Sequence, residues 1–211
     1  MVSVKVKIAL AVLVLSGIVV SQHCFAAAKK KAVKEQPKAA SVKVEVKAEP
    51  SVAKSKILVV FYSRTGNTKK VAEEIAAELK CDIEEILDTK DRSGMSGYMA
   101  SGKEAMKKQV AVIKEIKNNP ANYDLVILGT PVWAGKMSSP VRTYVIQNKE
   151  KLKNVAFFCT MGGGGNKKAF ADMEEAIGKK PAATMTILER EVKKNEYKAK
   201  VEGFVKELSV K

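Results

Sequence analysis

The sequence predicts an α/β fold: a three-layer α/β/α sandwich on a five-stranded parallel sheet. Three observations predict it. Apolar runs without polar alternation, at residues 57–62 and 125–129, suit strands covered on both faces. Helical stripes alternate with the strands along the chain, as right-handed strand–helix–strand crossovers require. The first, third and fourth strands run into loops rich in Gly, Thr and Ser, and open α/β sheets hold their ligands outside the carboxyl ends of strands.

The first strand is Ile57, Leu58, Val59, Val60, Phe61 and Tyr62. Residues 63–68 after it read as an anion site. Ser63, Thr65 and Thr68 offer hydroxyls, Gly66 lets the backbone turn with positive φ, and Asn67 or Thr68 is expected to cap the next helix. Amides at a helix start are unsatisfied and the helix dipole adds positive charge there, so a phosphate suits the position. Val71, Ala72, Ile75, Ala76 and Leu79 form the inner stripe of that first helix. Residues 81–86 make a short second strand. Residues 87–102, with three glycines and three serines, read as a long loop, and Met106, Val110, Ile113 and Lys117 as a second helix ending before Pro120.

Residues 125–129 form the third strand and enter a loop, 130–139. Pro140 suits the first turn of a third helix capped by Ser139, with Val141, Tyr144 and Val145 on its inner face. The fourth strand, 155–159, leads through Thr160 and Met161 to four glycines, 162–165. Ala169, Phe170, Met173, Ala176 and Ile177 supply the fourth helix, stopped by Gly178 and Pro181. Alternating Ala183, Met185 and Ile187 read as a half-exposed edge strand. Asn195 is then expected to cap a fifth helix carrying Tyr197, Val201, Phe204, Val205 and Leu208.

The N-terminal quarter has another character. Lys5 and Lys7 precede an apolar stretch, 8–20, and a small, polar region, so residues 1–26 read as a signal peptide. An uncleaved membrane anchor is the alternative. A lipid-modified Cys24 is disfavoured by Gln22 and His23 before it, and no twin-arginine pair is present. Export is therefore expected for an unfolded chain, into the periplasm or the medium. Residues 27–55, rich in Ala, Lys, Val and Glu, read as a lysine-rich flexible tether, with weak contact to an anionic membrane surface as an expectation. Residues 56–211 form the folded domain.

Composition narrows the chemistry. The net charge is +15, of which +7 belongs to residues 57–211, and no basic stripe interleaved with aromatics points to nucleic acid. The single histidine, His23, leaves with the signal, so a His-dependent nucleophilic pair or zinc site is disfavoured. Cys81 and Cys159 sit at strand ends and read as buried thiols, a disulfide being the alternative.

Three motifs carry a resemblance. Ser63-Arg64-Thr65-Gly66-Asn67-Thr68 resembles the phosphate loop of the flavodoxins. Gly129-Thr130-Pro131-Val132-Trp133-Ala134-Gly135 with Pro140-Val141-Arg142, and Phe158-Cys159-Thr160-Met161-Gly162-Gly163, resemble the two flavin loops of short flavodoxin-like proteins. The resemblance covers about residues 56–211 and implies strand order 2-1-3-4-5 and FMN as cofactor. The P-loop signature and the dinucleotide GxGxxG are absent, which disfavours ATP and NAD as primary ligands.

Carried onto this sequence, the resemblance implies that Ser63, Thr65, Asn67 and Thr68, with amides from Arg64 to Thr68, bind the phosphate. Arg64 and Lys69 either add charge or point to solvent. Trp133 lies against the ring, with an ordinary packed tryptophan as the alternative, and Gly135 lets backbone approach. Thr130, Pro131, Val132 and Ala134 complete the second loop, and Thr160, Met161, Gly162, Gly163 and Gly164 border the pyrimidine end. The chain departs from the family in placing Met161 and glycines where a second aromatic is common. Tyr98 is read as a surface tyrosine, with reach to the site as the alternative.

The function implied is an exported FMN-binding electron-transfer protein with an unidentified redox partner, either a protein or a small acceptor. Two alternatives stand beside it. One is an FMN-dependent NAD(P)H:quinone or nitro-compound reductase, and the other a non-redox binding module without flavin.

Overall fold

The computed structural model describes residues 55–209. The expected signal segment and nearly all of the lysine-rich tether lie outside the described residues.

Five strands form one all-parallel sheet: β1 (Ile57–Phe61), β2 (Asp82–Glu85), β3 (Leu125–Pro131), β4 (Asn154–Met161) and β5 (Thr184–Leu188). Their order is β2-β1-β3-β4-β5, as the resemblance implies. Six helices cover it: α1 (Asn67–Leu79), α2 (Gly94–Met106), α3 (Ser139–Asn148), α4 (Asn166–Ile177), α5 (Glu189–Lys194) and α6 (Lys198–Ser209).

The unbroken apolar runs are explained by this layering. Successive residues of a strand point to opposite faces. Leu58, Val60, Val126, Leu128 and Phe157 pack with Val141, Tyr144 and Val145 of α3 and Met173 of α4. Val59, Phe61, Ile127 and Phe158 pack with Val71, Ala72 and Ile75 of α1 and Val201 and Phe204 of α6. A strand buried on both sides has no polar positions to alternate. Each such side chain stabilises the fold by about 1.5–3 kcal/mol. Gly129 is fixed by its neighbour: it pairs with Phe158, and a Cβ built on it would lie 2.1 Å from the Phe158 ring.

Several expected elements are corrected. Residues 94–102, expected in a loop, belong to helix α2, which runs on through Met106. Its buried positions are Gly97, Ser101 and Ala105, one turn apart. A Cβ on Gly97 would stand 2.3 Å from the carbonyl carbon of Arg92, so here glycine serves close packing rather than a turn. The expected helix through Val110 and Lys117 does not form. Lys108 takes φ 53, and the following segment pairs antiparallel with residues 87–89 through Thr89 N to Val112 O (3.0 Å) and Lys114 N to Leu87 O (2.8 Å). Thr143 of α3 bonds both backbone groups of Ala111 at 2.8 Å, and the buried Glu84 carboxylate accepts the amides of Lys117 and Asn118 at 2.8 Å.

Caps also shift. The N-cap of α1 is Gly66, and Asn67 and Thr68 lie inside the helix. Ser138, not Ser139, is the N-cap of α3, which puts Pro140 second in the helix. Asn195 does not start a helix; with φ 62 it ends α5, a short helix whose Glu191 accepts the Leu188 amide at 2.8 Å.

Candidate functional site

The carboxyl ends of β1, β3 and β4 lie side by side, so the loops that leave them share one end of the sheet. The first contains Ser63–Gly66. Gly66 takes φ 85, a left-handed value that glycine adopts without strain, and this turns the chain directly from strand into α1. No side chain caps the helix start and no acid lies in its first turn. Its first amides therefore keep an unmet demand for an anion. Ser63 adds a second such demand: its hydroxyl oxygen is buried without a hydrogen-bond partner. The Asn67 amide nitrogen donates to Thr65 Oγ1 at 3.3 Å, holding the loop's polar groups together.

The third loop is joined to the first through Thr68 and Thr160, both buried, whose hydroxyl oxygens lie 2.8 Å apart. If Thr160 donates, the Thr68 proton is left for a ligand. Gly165 opens α4 with φ 100 and no side-chain cap, so α4 begins in the same manner as α1.

The second loop is held rigidly. Trp133 and Lys136 exchange both backbone hydrogen bonds, at 3.0 and 2.9 Å, around a two-residue turn with Ala134 at φ 48 and Gly135 at φ 75. Thr130 is fully buried and its hydroxyl accepts the Ser138 amide at 2.9 Å, so it braces the loop base. The buried Asp172 of α4 accepts the Met137 amide at 3.2 Å and pairs with Arg142. A buried pair of this kind tolerates loss of neither partner.

Trp133 is not exposed. It is 5 % accessible, stands edge-on to Tyr62 at 5.6 Å between ring centroids, and carries the Arg92 guanidinium 5.2 Å from its ring centre. Arg92 is itself bound by Asp88 and by Glu104 at 2.6 Å. Burial, with the Asp88 charge second, pushes the Tyr62 hydroxyl up to about 12, so Tyr62 stays neutral at all ordinary pH.

These loops close on a cleft of about 150 Å³. Arg64, Thr65, Asn67 and Thr68 line it from the first loop, Pro131, Val132 and Trp133 from the second, and Thr160, Met161 and Gly162 from the third. Of the other expected residues, Ser63 does not line the cleft and Gly66 forms the turn of the first loop. Thr130, Ala134 and Gly135 build the second loop without lining the cleft, and Gly163 and Gly164 have open space around them. Tyr98 does reach the cleft, under the Arg64 guanidinium at 5.3 Å. Lys69 points elsewhere and pairs with Glu85 at 2.9 Å.

Sequence reasoning missed two residues. Arg92 has no local signature. Glu189, at the start of α5, lines the cleft, and nothing in its neighbourhood of sequence marks it. The Lys193 ammonium holds the Glu189 carboxyl below its ordinary value; against a desolvation cost, the Asn67 side chain and the Arg64 charge add to this.

Uncapped amides and one arginine, in one cleft with Trp133, Val132, Tyr98 and Met161, fit a ligand with an anionic head and a flat apolar body. Among the described residues there is no group of three or more metal-ligating side chains, and no helix is long and apolar enough to cross a membrane.

Comparison with known proteins agrees. The sequence model of a family described as flavodoxin matches residues 56–204. A flavoprotein from Lactobacillus acidophilus NCFM, solved in complex with FMN, is 28% identical with a TM-score of 0.56 and covers 66% of this chain and 97% of its own. Two chains described as candidate flavoproteins share the fold. That from Bacteroides eggerthii DSM 20697 is 23% identical (TM-score 0.56; 71% of this chain, 98% of its own). That from Bacteroides uniformis ATCC 8492 is 20% identical (TM-score 0.53; 67% and 97%). The chain belongs to the flavodoxin family.

Proposed function

We propose that this protein is an exported electron-transfer flavoprotein whose cofactor, FMN, is held by the three loops. The observation that carries this reading is the start of α1, where an uncapped helix begins and Thr65, Asn67 and Thr68 line the same cleft as Trp133 and Met161. Bound FMN supplies the redox chemistry, accepting and releasing electrons.

The chain's own residues bind, orient and shield. Ser63 and Thr65 donate hydroxyl hydrogen bonds to the phosphate, with the amides of residues 64–68. The Thr68 and Thr160 hydroxyl oxygens lie 2.8 Å apart, and with Thr160 as the donor the Thr68 hydroxyl is left to donate to the phosphate. Arg64 contributes the local positive charge. Trp133, fixed by its turn, by Tyr62 and by Arg92, offers a rigid aromatic wall, and Val132 and Met161 exclude water beside it. The glycines after Met161 leave backbone free to approach the ring. The net charge of +7 on residues 57–211 disfavours added negative charge less than an acidic surface would, and supports a less negative reduction potential than in an acidic relative.

The test has two stages. The protein is mixed with FMN and desalted, and retained visible absorbance supports the flavin site, whereas none retained supports a flavin-free binding module. The loaded protein is then given NAD(P)H. Inertness without a partner reductase supports the carrier; rapid bleaching followed by quinone turnover replaces it with a reductase.

A further inference from the structure

Helix α2 inverts the usual pattern of a surface helix. Its buried face is made of small residues, Gly97, Ser101 and Ala105. Its large apolar side chains point outward, with Met95 75 % accessible, Met99 64 % and Met106 60 %. Residues four and seven apart on a helix share one side, so these three methionines form a single ridge. A surface helix normally buries its large apolar stripe, and leaving this one in water is a cost that packing does not explain.

The ridge adjoins the flavin cleft without lining it. Tyr98, on the same helix, reaches the cleft, whereas Met95, Met99 and Met106 do not. Met99 and Met106 face Trp133 across a neighbouring cavity, so the ridge stands next to the wall assigned to the flavin ring. Its charged border has one sign. Lys103 comes one turn after Met99 and Lys107 one turn after Lys103, and among the described residues neither has an ion pair. The neighbouring Glu104 is already engaged by Lys90 and Arg92, and Lys108 by Glu175. Beside Lys107 the exposed Val110 and Val112 extend the apolar surface.

We propose that the methionine ridge of α2 is the docking surface for the electron-exchanging partner, an acidic protein whose apolar patch is framed by carboxylates. The inference rests on the proposed electron-transfer role. Charge decides between the occupants. A second copy of the chain would bring Lys103 and Lys107 up against the same two lysines of its twin, and like charges across an interface oppose association. The chain's own residues 27–55 are lysine-rich and would be repelled in the same way. An acidic partner satisfies both lysines, while unbranched methionines adapt to the outline of its apolar patch. An exposed helix face with apolar anchors on one side is a common means of entering a partner's groove. Docking there also sets the partner beside Trp133, next to the flavin.

The test titrates the full chain, with and without FMN, against two redox proteins of opposite charge, an acidic plant-type ferredoxin and a basic cytochrome c, by calorimetry at low salt. The parent is expected to bind the ferredoxin more tightly than the cytochrome. A Lys103→Glu, Lys107→Glu double variant should weaken the ferredoxin about tenfold and strengthen the cytochrome. A Met95→Gln, Met99→Gln double variant should weaken the ferredoxin about threefold. Trp133 is the only tryptophan in the sequence, and unchanged emission from it in both variants shows that the fold around α2 is kept. The proposal is overturned if either double variant binds the ferredoxin as the parent does, or if the parent prefers the cytochrome. It is also overturned if the ridge instead holds a second copy or a phosphatidylglycerol vesicle, seen as a dimer or a vesicle complex that the methionine variant abolishes. FMN retention is scored separately by absorbance. Ridge-dependent ferredoxin binding without flavin retention keeps the docking surface and removes the electron-transfer role; flavin retention with ridge-independent binding does the reverse.

Discussion

Replacing Ser63 by alanine should move two properties in opposite directions. In the flavin-free chain the Ser63 hydroxyl is buried with no partner. A buried unmet hydroxyl costs about 1–3 kcal/mol, so alanine, which fills nearly the same space, should stabilise the flavin-free form by about 1 kcal/mol. For a domain of this size that raises Tm by roughly 2–4 °C. In the loaded protein the same hydroxyl donates to a phosphate oxygen, and a hydrogen bond to a charged group contributes about 1.5–3 kcal/mol. Its loss should raise the Kd for FMN about tenfold to a hundredfold. Thermal melts with and without FMN and a fluorescence titration of FMN measure both. A residue that merely packs gives a lower Tm without flavin and an unchanged Kd. Either result would refute the assignment of Ser63 as a phosphate donor.

Three further outcomes are expected. Glu189→Gln removes a carboxylate from a cleft proposed to hold a phosphate; because this group is partly exposed, FMN should bind only about twofold to fivefold more tightly, and the gain should fade in roughly 1 M salt. Urea titration at both salt levels separates this from a stability change. Asp172→Ala leaves Arg142 buried without its counter-charge and the Met137 amide without its acceptor, so unfolding free energy should fall by about 3–5 kcal/mol; a loss under 1 kcal/mol in urea melts would show that the second loop is held by other contacts. Burial in β4 pushes the Cys159 thiol up from its ordinary 9.0 to about 11. The folded state then keeps its proton longer than the unfolded one, so stability is full below about pH 9 and falls by roughly 2–3 kcal/mol as pH rises to about 11. Cys159→Ala should flatten that fall, and equal slopes for the two chains would remove Cys159 as its cause.

Local chemistry made much of this protein legible from sequence. Strands buried on both faces must be apolar at every position, and residues 57–61 and 125–129 say so without help from the rest of the chain. Loop residues such as Gly66 and Thr65 carry their reason within six positions. Helix α2 was legible in principle: Gly97, Ser101 and Ala105 recur every four residues, which is a helical period of small side chains. Its glycines and serines were read as turn formers because one sequence does not distinguish a glycine needed for positive φ from one needed for close approach. The helix expected through Val110 and Ile113 fails for the converse reason. Its apolar spacing satisfies a helix, but Thr143 and Glu84, some thirty positions away, satisfy that backbone in extended form.

The sequence therefore specified which segments are strands, which loops leave their carboxyl ends, and that one of those loops suits a phosphate, since each depends on residues near in the chain. Folding alone brought Thr160 against Thr68, laid Arg92 over Trp133, placed Glu189 beside Asn67, and turned the large side chains of α2 outward across a cavity from Trp133. These are encounters between segments up to about 120 residues apart. They are set by how the strands order and how the helices pack, and no pattern local to either partner records them.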